Sequence, residues 1–526
     1  MSNFSLSQIV TKPAVSSAGG IVAAQHRRAA EAGAAVLAAG GDAVDAAVAT
    51  SFALGVLEPW MSGPGGGGAM LIRRARDART LAVDFGPLAP AALDPADYPL
   101  AGSGVSSDLF PWPAVVGERN ATGAAAIAVP GVVDGMRTAH EAFGAKPWHE
   151  LVMPAAELAE EGLLVDWYAA LIIASATQAL AANGCAAATF LEAGRWPTIS
   201  SWTALNQKRV DLSQMGRSLR RLAERGPREF YEGELARGIA RDIAAAGGCL
   251  AAGDLASYRA RLGEPLTFPY RGGTFHAAPG LSAGPTLAHA LRLLAAAPLG
   301  GTRPDGAAYL AYAEALDRAY RWRLINMGDV EGGRTGPSCT THFCVVDRHG
   351  NICAVTQTLL SIFGSKVMLP ESGLLMNNGI LWFDPEPGKP NSLAPGKRCL
   401  MNVCPLIGTH DGRHFALGAS GGRRIMPAVL QLASFLVDYG MSLEEAFHHP
   451  RIDASGGDTV IVDDTLPAEV STALAKRFTL VAGRRTVFPY LFACPAGVSR
   501  VGNINEGATE IMSPWGDAVA EDAKGG

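Results

Sequence analysis

Two threonines, Thr340 and Thr358, have the residue type and the spacing for nucleophilic chemistry. They lie in two apolar, β-branched segments that predict a hairpin with a three-residue turn at 348–350. If Asp347 pairs with Asn351, then Thr340 lies directly opposite Thr358, and opposite residues point to the same face of a hairpin. We therefore expect two hydroxyl groups to meet at the open end of this hairpin.

Thr340 also follows a segment with the composition of a linker. Residues 326–339 are rich in glycine and end in Pro-Ser-Cys. If the chain were cut between Cys339 and Thr340, the threonine would carry both a hydroxyl and an α-amine. Because the pKa of an α-amine is about 7.7–8, that amine suits a general base at neutral pH. The alternative is that Thr-Thr is ordinary strand composition.

A second candidate feature is the glycine-containing loop at residues 418–424, between a predicted strand and a predicted helix. Backbone N–H groups at the N-terminus of such a helix suit an anion or a developing oxyanion. A tight turn with nothing bound is equally consistent with this segment. The glycines at 65–68 predict close packing, since no Gly-Lys-Ser/Thr follows them. His448 and His449 lack acidic or cysteine partners at suitable spacing, so no metal site is predicted.

Composition argues against several classes of function. The 526 residues carry a formal net charge of −5, so a basic surface for nucleic acid is not expected. No apolar run is long enough for a membrane span, and residues 1–20 lack the pattern of a signal peptide. The eight cysteines form no CxxC pair, which is typical of reduced core thiols. We therefore expect a cytoplasmic globular protein, either one large α/β domain or two interlocked lobes.

The remaining pattern predicts alternating helices and strands. Residues 21–39 predict an Ala-rich helix, and Asp42 predicts the N-cap of a second helix. Residues 371–379 predict a strand and turn, and residues 398–406 predict a further strand. The one clear interdomain linker is predicted at 326–339.

Seven segments in this order resemble the gamma-glutamyltranspeptidases, which are N-terminal-nucleophile hydrolases. They are GGDAVDAAVAT (40–50), GPGGGGAMLIR (63–73), AVPGVVDG (128–135), TTHFCVVDRHGNICAVTQTL (340–359), ESGLLMNN (371–378), PGKR (395–398) and GASGGRRI (418–425). The resemblance covers nearly the whole chain. It implies an α+β fold, a four-layer αββα sandwich, and chemistry that needs no cofactor and no metal.

The resemblance also implies self-cleavage between Cys339 and Thr340. The products would be a large subunit of residues 1–339 and a small subunit of residues 340–526. By position, Thr340 is then the nucleophile with its new α-amine as the base, and Thr358 is the supporting hydroxyl. Gly421 and Gly422 are in the position of the oxyanion hole.

Several positions depart from the family pattern that grips a gamma-glutamyl group. Gly86 stands where the family has an arginine for the substrate's α-carboxylate, and Trp382 stands where it has an acidic residue for the α-amino group. A Ser-Ser pair is replaced by Met401-Asn402, and an asparagine is replaced by Leu360. Without a bidentate arginine, a substrate carboxylate loses a strong, directional interaction.

From these departures we predict an N-terminal-threonine amidohydrolase that cleaves a small carboxylate-bearing amide through an acyl-enzyme. The chain is similar to one branch of such proteins, the oxamate amidohydrolases, which do not need a clamp for an amino acid. Asn402, Arg423 and Arg424 are the candidate groups for holding a carboxylate, and Gly86 and Trp382 are expected to shape the pocket.

Two alternatives remain open. One is a gamma-glutamyl hydrolase or transpeptidase that acts on glutathione through a relocated clamp. The other is an unprocessed, inactive scaffold, which Cys339 and the short linker favour. The expected partners are a small-molecule amide and the two subunits made from one precursor. Nucleic acid and membrane are not expected as partners. A higher homo-oligomer is left open.

Overall fold

The computed structural model describes residues 10–105, 112–200, 207–327, 339–455 and 457–522. The helices are α1 Arg27–Ala38, α2 Ala43–Leu57, α3 Val132–Phe143, α4 Trp148–Glu161, α5 Trp167–Leu180, α6 Gly184–Phe190, α7 Ser213–Arg225, α8 Glu229–Glu232, α9 Glu234–Ala245, α10 Ala252–Ser257, α11 Gly284–Ala295, α12 Gly306–Met327, α13 Ile425–Val437, α14 Leu443–His448 and α15 Ala468–Leu474. The strands are β1 Val15–Ser17, β2 Ile21–Ala24, β3 Gly67–Arg73, β4 Thr80–Phe85, β5 Leu100–Val105, β6 Pro113–Val115, β7 Leu163–Leu164, β8 Leu191–Glu192, β9 Trp196–Pro197, β10 Arg209–Val210, β11 Arg261–Gly263, β12 Leu266–Tyr270, β13 Gly273–Ala277, β14 Cys339–Val346, β15 Ile352–Leu360, β16 Leu406–His410, β17 Arg413–Ser420, β18 Ile452–Asp453, β19 Thr459–Asp463, β20 Thr479–Gly483, β21 Cys494–Val501, β22 Ile504–Thr509 and β23 Asp517–Ala520.

Two seven-stranded antiparallel sheets form the centre of the fold. Their strand orders are β1-β22-β21-β17-β16-β13-β12 and β11-β4-β3-β15-β14-β2-β23. Apolar side chains from both sheets, among them Leu71, Cys344, Ile407 and Ala416, form one buried cluster. The two sheets therefore pack face to face, with alternate residues of each strand pointing into the space between them.

Helices cover the outer face of each sheet. Phe343 and Val355 of the hairpin strands are buried in one cluster with the apolar residues of α1, α2 and α3. Phe415 and Leu417 of the other sheet are buried in a second cluster with α11, α12 and α13. The layers therefore run helix, sheet, sheet, helix, and the predicted αββα sandwich is confirmed.

Helix α2 begins where the sequence predicted. The side chain of Asp42 accepts hydrogen bonds from the N–H groups of Val44 and Asp45, and Asp45 accepts in return from the N–H of Asp42. This capping box satisfies the free donors of the first turn. Every residue of α2 is buried, so its apolar character on all sides follows from packing between the sheet and other helices.

The predicted hairpin is formed by β14 and β15. Thr341 pairs with Gln357, as the prediction requires, and Gly350 in the turn has a φ of 86°. The prediction that Thr340 lies directly opposite Thr358 is wrong, because the register shifts between Cys339 and Thr341 at a β-bulge. A β-bulge changes the direction in which a side chain points, here that of Thr340 near the end of the hairpin.

The run of glycines before β3 packs against the backbone of β15. A Cβ atom on Gly66 would lie 2.4 Å from the carbonyl oxygen of Thr358, and one on Gly68 would lie 2.1 Å from that of Thr356. Both distances are too short for a side chain, so glycine is required. This agrees with the packing role predicted for residues 65–68.

Two predicted elements differ in the structure. Residues 21–24 form β2 rather than the start of a helix, because all four side chains are buried and the strand pairs with β14 and β23. Residues 371–379 are not a strand. Instead, the side chain of Asn377 bonds the backbone of Gly65, Ala128 and Gly379, an arrangement that competes with a regular ladder.

The segments around the linker and β16 also differ in part. Of residues 398–406 only Leu406 is in a strand, and the guanidinium of Arg398 bonds the carbonyl oxygens of Gly86 and Arg259 instead. Helix α12 continues to Met327, into the predicted linker, and the residues 328–338 that follow lie outside the described part of the chain. Among the described helices, none has both the length and the hydropathy of a membrane span.

Candidate active site

The hydroxyl groups of Thr340 and Thr358 are in contact at the end of the hairpin. Their Oγ1 atoms are 3.4 Å apart, near the upper limit for a hydrogen bond, and both residues are buried. The Oγ1 of Thr358 also accepts a hydrogen bond of 2.8 Å from the N–H of Leu360, which orients this hydroxyl. The predicted meeting of two hydroxyls is therefore present, and a bulge rather than direct pairing produces it.

Strand β17 leads to the same end of the sandwich as Thr340. At its start, His414 contacts Arg73, whose guanidinium also bonds the turn of the hairpin. Further along, a Cβ atom on Gly418 would lie 2.2 Å from the ring of His342, two residues after Thr340. The strand therefore advances from the hairpin turn towards Thr340, and the glycine loop that follows it leaves the sheet at that end.

The two glycines of this loop have backbone conformations that other residues rarely adopt. Gly421 has a φ of 128° and Gly422 a φ of 62°. A Cβ atom on Gly421 would also lie 3.0 Å from the Cα of Ala493. The loop continues into a 3₁₀ helix, Gly422–Arg424, and then into α13. The first N–H groups of a helix have no acceptor within it, so they suit an oxyanion.

A buried carboxyl group, Glu58, contacts strand β14 from the helix side. Its Oε2 accepts a hydrogen bond of 3.0 Å from the hydroxyl of Thr341. Burial raises the pKa of Glu58 to about 7, although the hydrogen bond from Thr341 opposes that shift. Next to this contact, the Gln357 side chain bonds Ser51 and Ser62. Sequence reasoning missed Glu58, and the available signal was a single acidic residue at the end of an apolar helix.

The structure closes the space beside Gly86. Its carbonyl oxygen accepts hydrogen bonds from the hydroxyl of Tyr258 at 2.9 Å and from Arg398 at 2.6 Å. A Cβ atom on Gly86 would lie 2.8 Å from the Cε of Met401. A side chain at position 86 would therefore have to displace Met401, so the two departures from the family pattern occur in contact with each other.

The other replaced positions belong to the same apolar region. Trp382 and Leu360 are buried in one cluster with Met401, Ile380 and Cys399. Trp382 is only 1% exposed, and the other four residues are buried as well. At positions where the family pattern has residues that recognise charge, this chain therefore has apolar side chains that contact one another.

Asn402 is held by a buried arginine that the sequence reasoning did not identify. The Oδ1 of Asn402 accepts a hydrogen bond of 3.2 Å from Arg323, which also donates to the carbonyl oxygens of Met401 and Ser282. Burial lowers the pKa of Arg323 to about 10. Within the described residues the Nδ2 of Asn402 is buried without a hydrogen-bond acceptor.

The two arginines at the end of the glycine loop have different surroundings. Arg424 ion-pairs with Asp453 at 3.4 Å and donates to the carbonyl oxygen of Tyr490 at 3.0 Å. The guanidinium carbon of Arg423 lies 5.6 Å from the centre of the Tyr320 ring, a cation–π geometry, and burial lowers the pKa of Arg423. Among the described residues no hydrogen bond or ion pair engages the Arg423 guanidinium. Arg423 is therefore the better placed of the two to receive an anion.

No group of three or more His, Cys, Asp or Glu side chains within the described ranges is arranged to hold a metal ion. The cysteines whose side chains are described are free thiols, and several of them are buried in the sheets.

Comparisons with known proteins agree with this geometry. The family model described as gamma-glutamyltranspeptidase matches residues 29–338 and 333–490. The chain is 35% identical over 502 residues to the acylase ACY 1 proenzyme of Pseudomonas sp. (strain SE83), covering 89% of this chain and 88% of the relative. It is 31% identical to the glutathione hydrolase proenzyme of Escherichia coli (strain K12), covering 82% and 80%.

A solved structure extends the likeness to the whole fold. The crystal structure of cephalosporin acylase from Bacillus halodurans superposes with a TM-score of 0.82 at 24% identity, covering 98% of both chains. At that identity the superposition establishes the fold alone. Together with the family match and its 30–35% identical relatives, it shows that this chain is a hydrolase of the gamma-glutamyltranspeptidase family with the N-terminal-nucleophile fold.

Proposed function

We propose that the chain cleaves itself before Thr340 and then uses Thr340 to hydrolyse a small amide that carries one carboxylate, such as oxamate. The observation that carries the proposal is the contact between the hydroxyls of Thr340 and Thr358, at the end of the sandwich where the glycine loop leaves β17. The proenzyme names of the related acylase and glutathione hydrolase support it.

The first step is attack of the Thr340 hydroxyl on the carbonyl carbon of Cys339. The peptide C–N bond breaks, an ester forms on the threonine oxygen, and the nitrogen becomes a free amine. Water then hydrolyses the ester and releases the new C-terminus at Cys339. The bulge between Cys339 and Thr341 is suited to this step, because it frees the local backbone from regular pairing.

In turnover, the α-amine of Thr340 takes the proton of its own hydroxyl as the oxygen attacks the substrate amide. The N–H groups of the glycine loop stabilise the oxyanion that develops. The amide C–N bond then breaks, and the leaving nitrogen receives the proton from the amine. Water attacks the resulting ester in the same way, which releases a carboxylate and restores the hydroxyl. With oxamate the products are ammonia and oxalate.

The proposed substrate class follows from the surroundings of the site. Met401 fills the space beside Gly86, and Trp382 and Leu360 add to the same apolar cluster. Charged ends of a gamma-glutamyl group would lose hydration there without compensation, which is costly. Arg423 supplies a cation that pairs with a single carboxylate.

A second candidate is a gamma-glutamyl hydrolase or transpeptidase with a relocated clamp. The observation in its favour is Arg398, a buried guanidinium that bonds the carbonyl oxygen of Gly86 at 2.6 Å. Against it, this guanidinium is already held by Gly86, Tyr258 and Arg259.

The test is kcat/KM for three amides, measured side by side on the cleaved enzyme. We expect oxamate to exceed glutathione, and an uncharged amide of similar size to be poor. Preference for glutathione, with acceleration by glycylglycine, would replace the proposal by the second candidate. Preference for the uncharged amide would remove the carboxylate from the proposal while leaving the nucleophile in place.

A further inference from the structure

Two arginines come together at one end of the sandwich, and Thr340 lies at the other end. Arg73 ends β3, and its Nη1 donates a hydrogen bond of 3.1 Å to the carbonyl oxygen of Gly350 in the hairpin turn. Arg500 lies on β21 of the other sheet, and its Nε is 3.0 Å from the position of a Cβ on Gly350. The hairpin separates this end from Thr340 by about 20 Å, since a strand rises roughly 3.3 Å per residue.

Both guanidinium groups bond only neutral acceptors within the described ranges. Arg73 bonds the carbonyl of Gly350 and lies 3.2 Å from the Nε2 of His414, and Arg500 bonds the Oδ1 of Asn505 at 2.8 Å. Neither arginine forms an ion pair with a described residue. Burial and the neighbouring charge of Arg500 both lower the pKa of Arg73. Two like charges at half-buried positions therefore face each other without a carboxylate.

His414 completes the cluster, and His276 lies further along the same inner face of the sheets. His414 is directly opposite Arg500 in the strand register, and its Nδ1 lies 2.9 Å from the hydroxyl of Thr409. His276 is half-buried, and its Nδ1 lies 2.9 Å from the hydroxyl of Thr267. Burial first, and then the charge of Arg73, lower the pKa of both imidazoles, and the charge of Arg500 lowers the pKa of His414 further. Each ring is therefore oriented by a threonine and favours the neutral form while no anion is bound.

We propose that Arg73, Arg500 and His414 form a binding site for a small oxyanion, such as inorganic phosphate. Arginine presents several donors in a planar fork that matches the oxygens of phosphate or carboxylate. An anion between the two guanidinium groups replaces their mutual repulsion by two charge-assisted interactions. This site is independent of the proposed amidohydrolase function, because it lies at the other end of the sandwich and shares no residue with it.

The test measures phosphate binding to the purified full chain, by calorimetry and by the melting temperature at constant ionic strength. We expect millimolar or tighter binding, weakened roughly tenfold or more in Arg500→Gln, because one charge-assisted pair is lost. Arg237→Gln is the matched control: it removes one positive charge at an exposed ion pair on α9, and binding should not change. If Arg500→Gln fails to fold, Arg73→Gln provides the same comparison.

Sulfate and acetate in parallel distinguish a tetrahedral oxyanion from a carboxylate as the ligand. Absence of phosphate binding by the wild-type protein would overturn the proposal. Equal binding by the wild type, the cluster variants and Arg237→Gln would overturn it as well, since the anion would then act on the surface in general. Amidase activity of Arg500→Gln should remain close to wild type, so loss of the site is distinguishable from loss of catalysis.

Discussion

The Oε2 of Glu58 and the hydroxyl of Thr341 are hydrogen-bonded at 3.0 Å, next in sequence to the proposed nucleophile. Glu58 caps the end of α2, and Thr341 lies on β14, so this contact joins the outer helix layer to the strand that contains Thr340. Burial holds the pKa of Glu58 at about 7, well above its usual range.

Stability should therefore depend on pH through Glu58. Because its folded pKa is raised, the contribution of Glu58 is fully present below about pH 4.5 and is lost as pH rises through about 7. Glu58→Gln should remove this loss and reduce the difference in unfolding free energy between pH 5 and pH 8 by roughly 1–3 kcal/mol. Chemical denaturation of the Thr340→Ala background, which we expect to remain one chain, measures it. Glu157→Gln, at an exposed position of α4, is the control, and an equal change there would rule out the assignment.

Self-cleavage should depend on the oxygen of Thr340. Wild-type protein should separate into two chains on a denaturing gel, and sequencing of the smaller should begin Thr-Thr-His-Phe. Thr340→Ala should remain a single chain, whereas Thr340→Ser should retain some cleavage because it keeps a hydroxyl. A wild-type chain that stays intact after prolonged incubation would favour the inactive scaffold.

Removing the hydroxyl of Thr358 should lower turnover while preserving the fold. Thr358→Val keeps the shape of the side chain but loses the contact with Thr340 and the acceptor for the N–H of Leu360. We expect kcat to fall roughly 10–100-fold with little change in KM, because one positioning hydrogen bond is lost. Thr358→Ser should restore much of the rate. Full activity in Thr358→Val would show that the nucleophile does not depend on this hydroxyl.

A side chain on the glycine loop should impair oxyanion stabilisation. In Gly421→Ala, alanine would have to adopt a φ of 128°, which is strained for a residue with a side chain. Its Cβ would also lie 3.0 Å from the Cα of Ala493, so the loop has to shift. Displacement of one oxyanion donor costs about 10²–10³ in kcat. Gly440→Ala is the control, because Gly440 also has a positive φ but its Cβ would meet open space after α13. Similar losses of kcat in both variants would indicate backbone strain rather than an oxyanion hole.

Arg423 should determine affinity for the substrate carboxylate. Arg423→Gln removes the cation and with it one charged hydrogen bond. We therefore expect KM for oxamate to rise roughly 10–100-fold, with a smaller effect on kcat. Arg423→Lys should recover part of this affinity. KM for an uncharged amide should not change. An unchanged KM for oxamate in Arg423→Gln would assign the carboxylate to another group.

Local sequence patterns determined much of the framework. The apolar, β-branched segments and the turn at Gly350 predicted the hairpin, and Asp42 predicted the start of α2, because these signals act over a few residues. The two hydroxyls that meet at the hairpin end were predicted for the same reason. The family motifs then predicted the αββα layers, which no local pattern specifies.

Only the tertiary structure decided which residues from distant parts of the chain surround the candidate site. The register shift between Cys339 and Thr341 does not follow from the hairpin pattern. Strand β2 forms because burial between two neighbouring strands outweighs the helix propensity of an Ala-rich segment. Met401 against Gly86, Arg323 on Asn402 and Glu58 beneath Thr341 join residues far apart in sequence. Such contacts arise from packing between layers, so neither spacing nor composition could have predicted them.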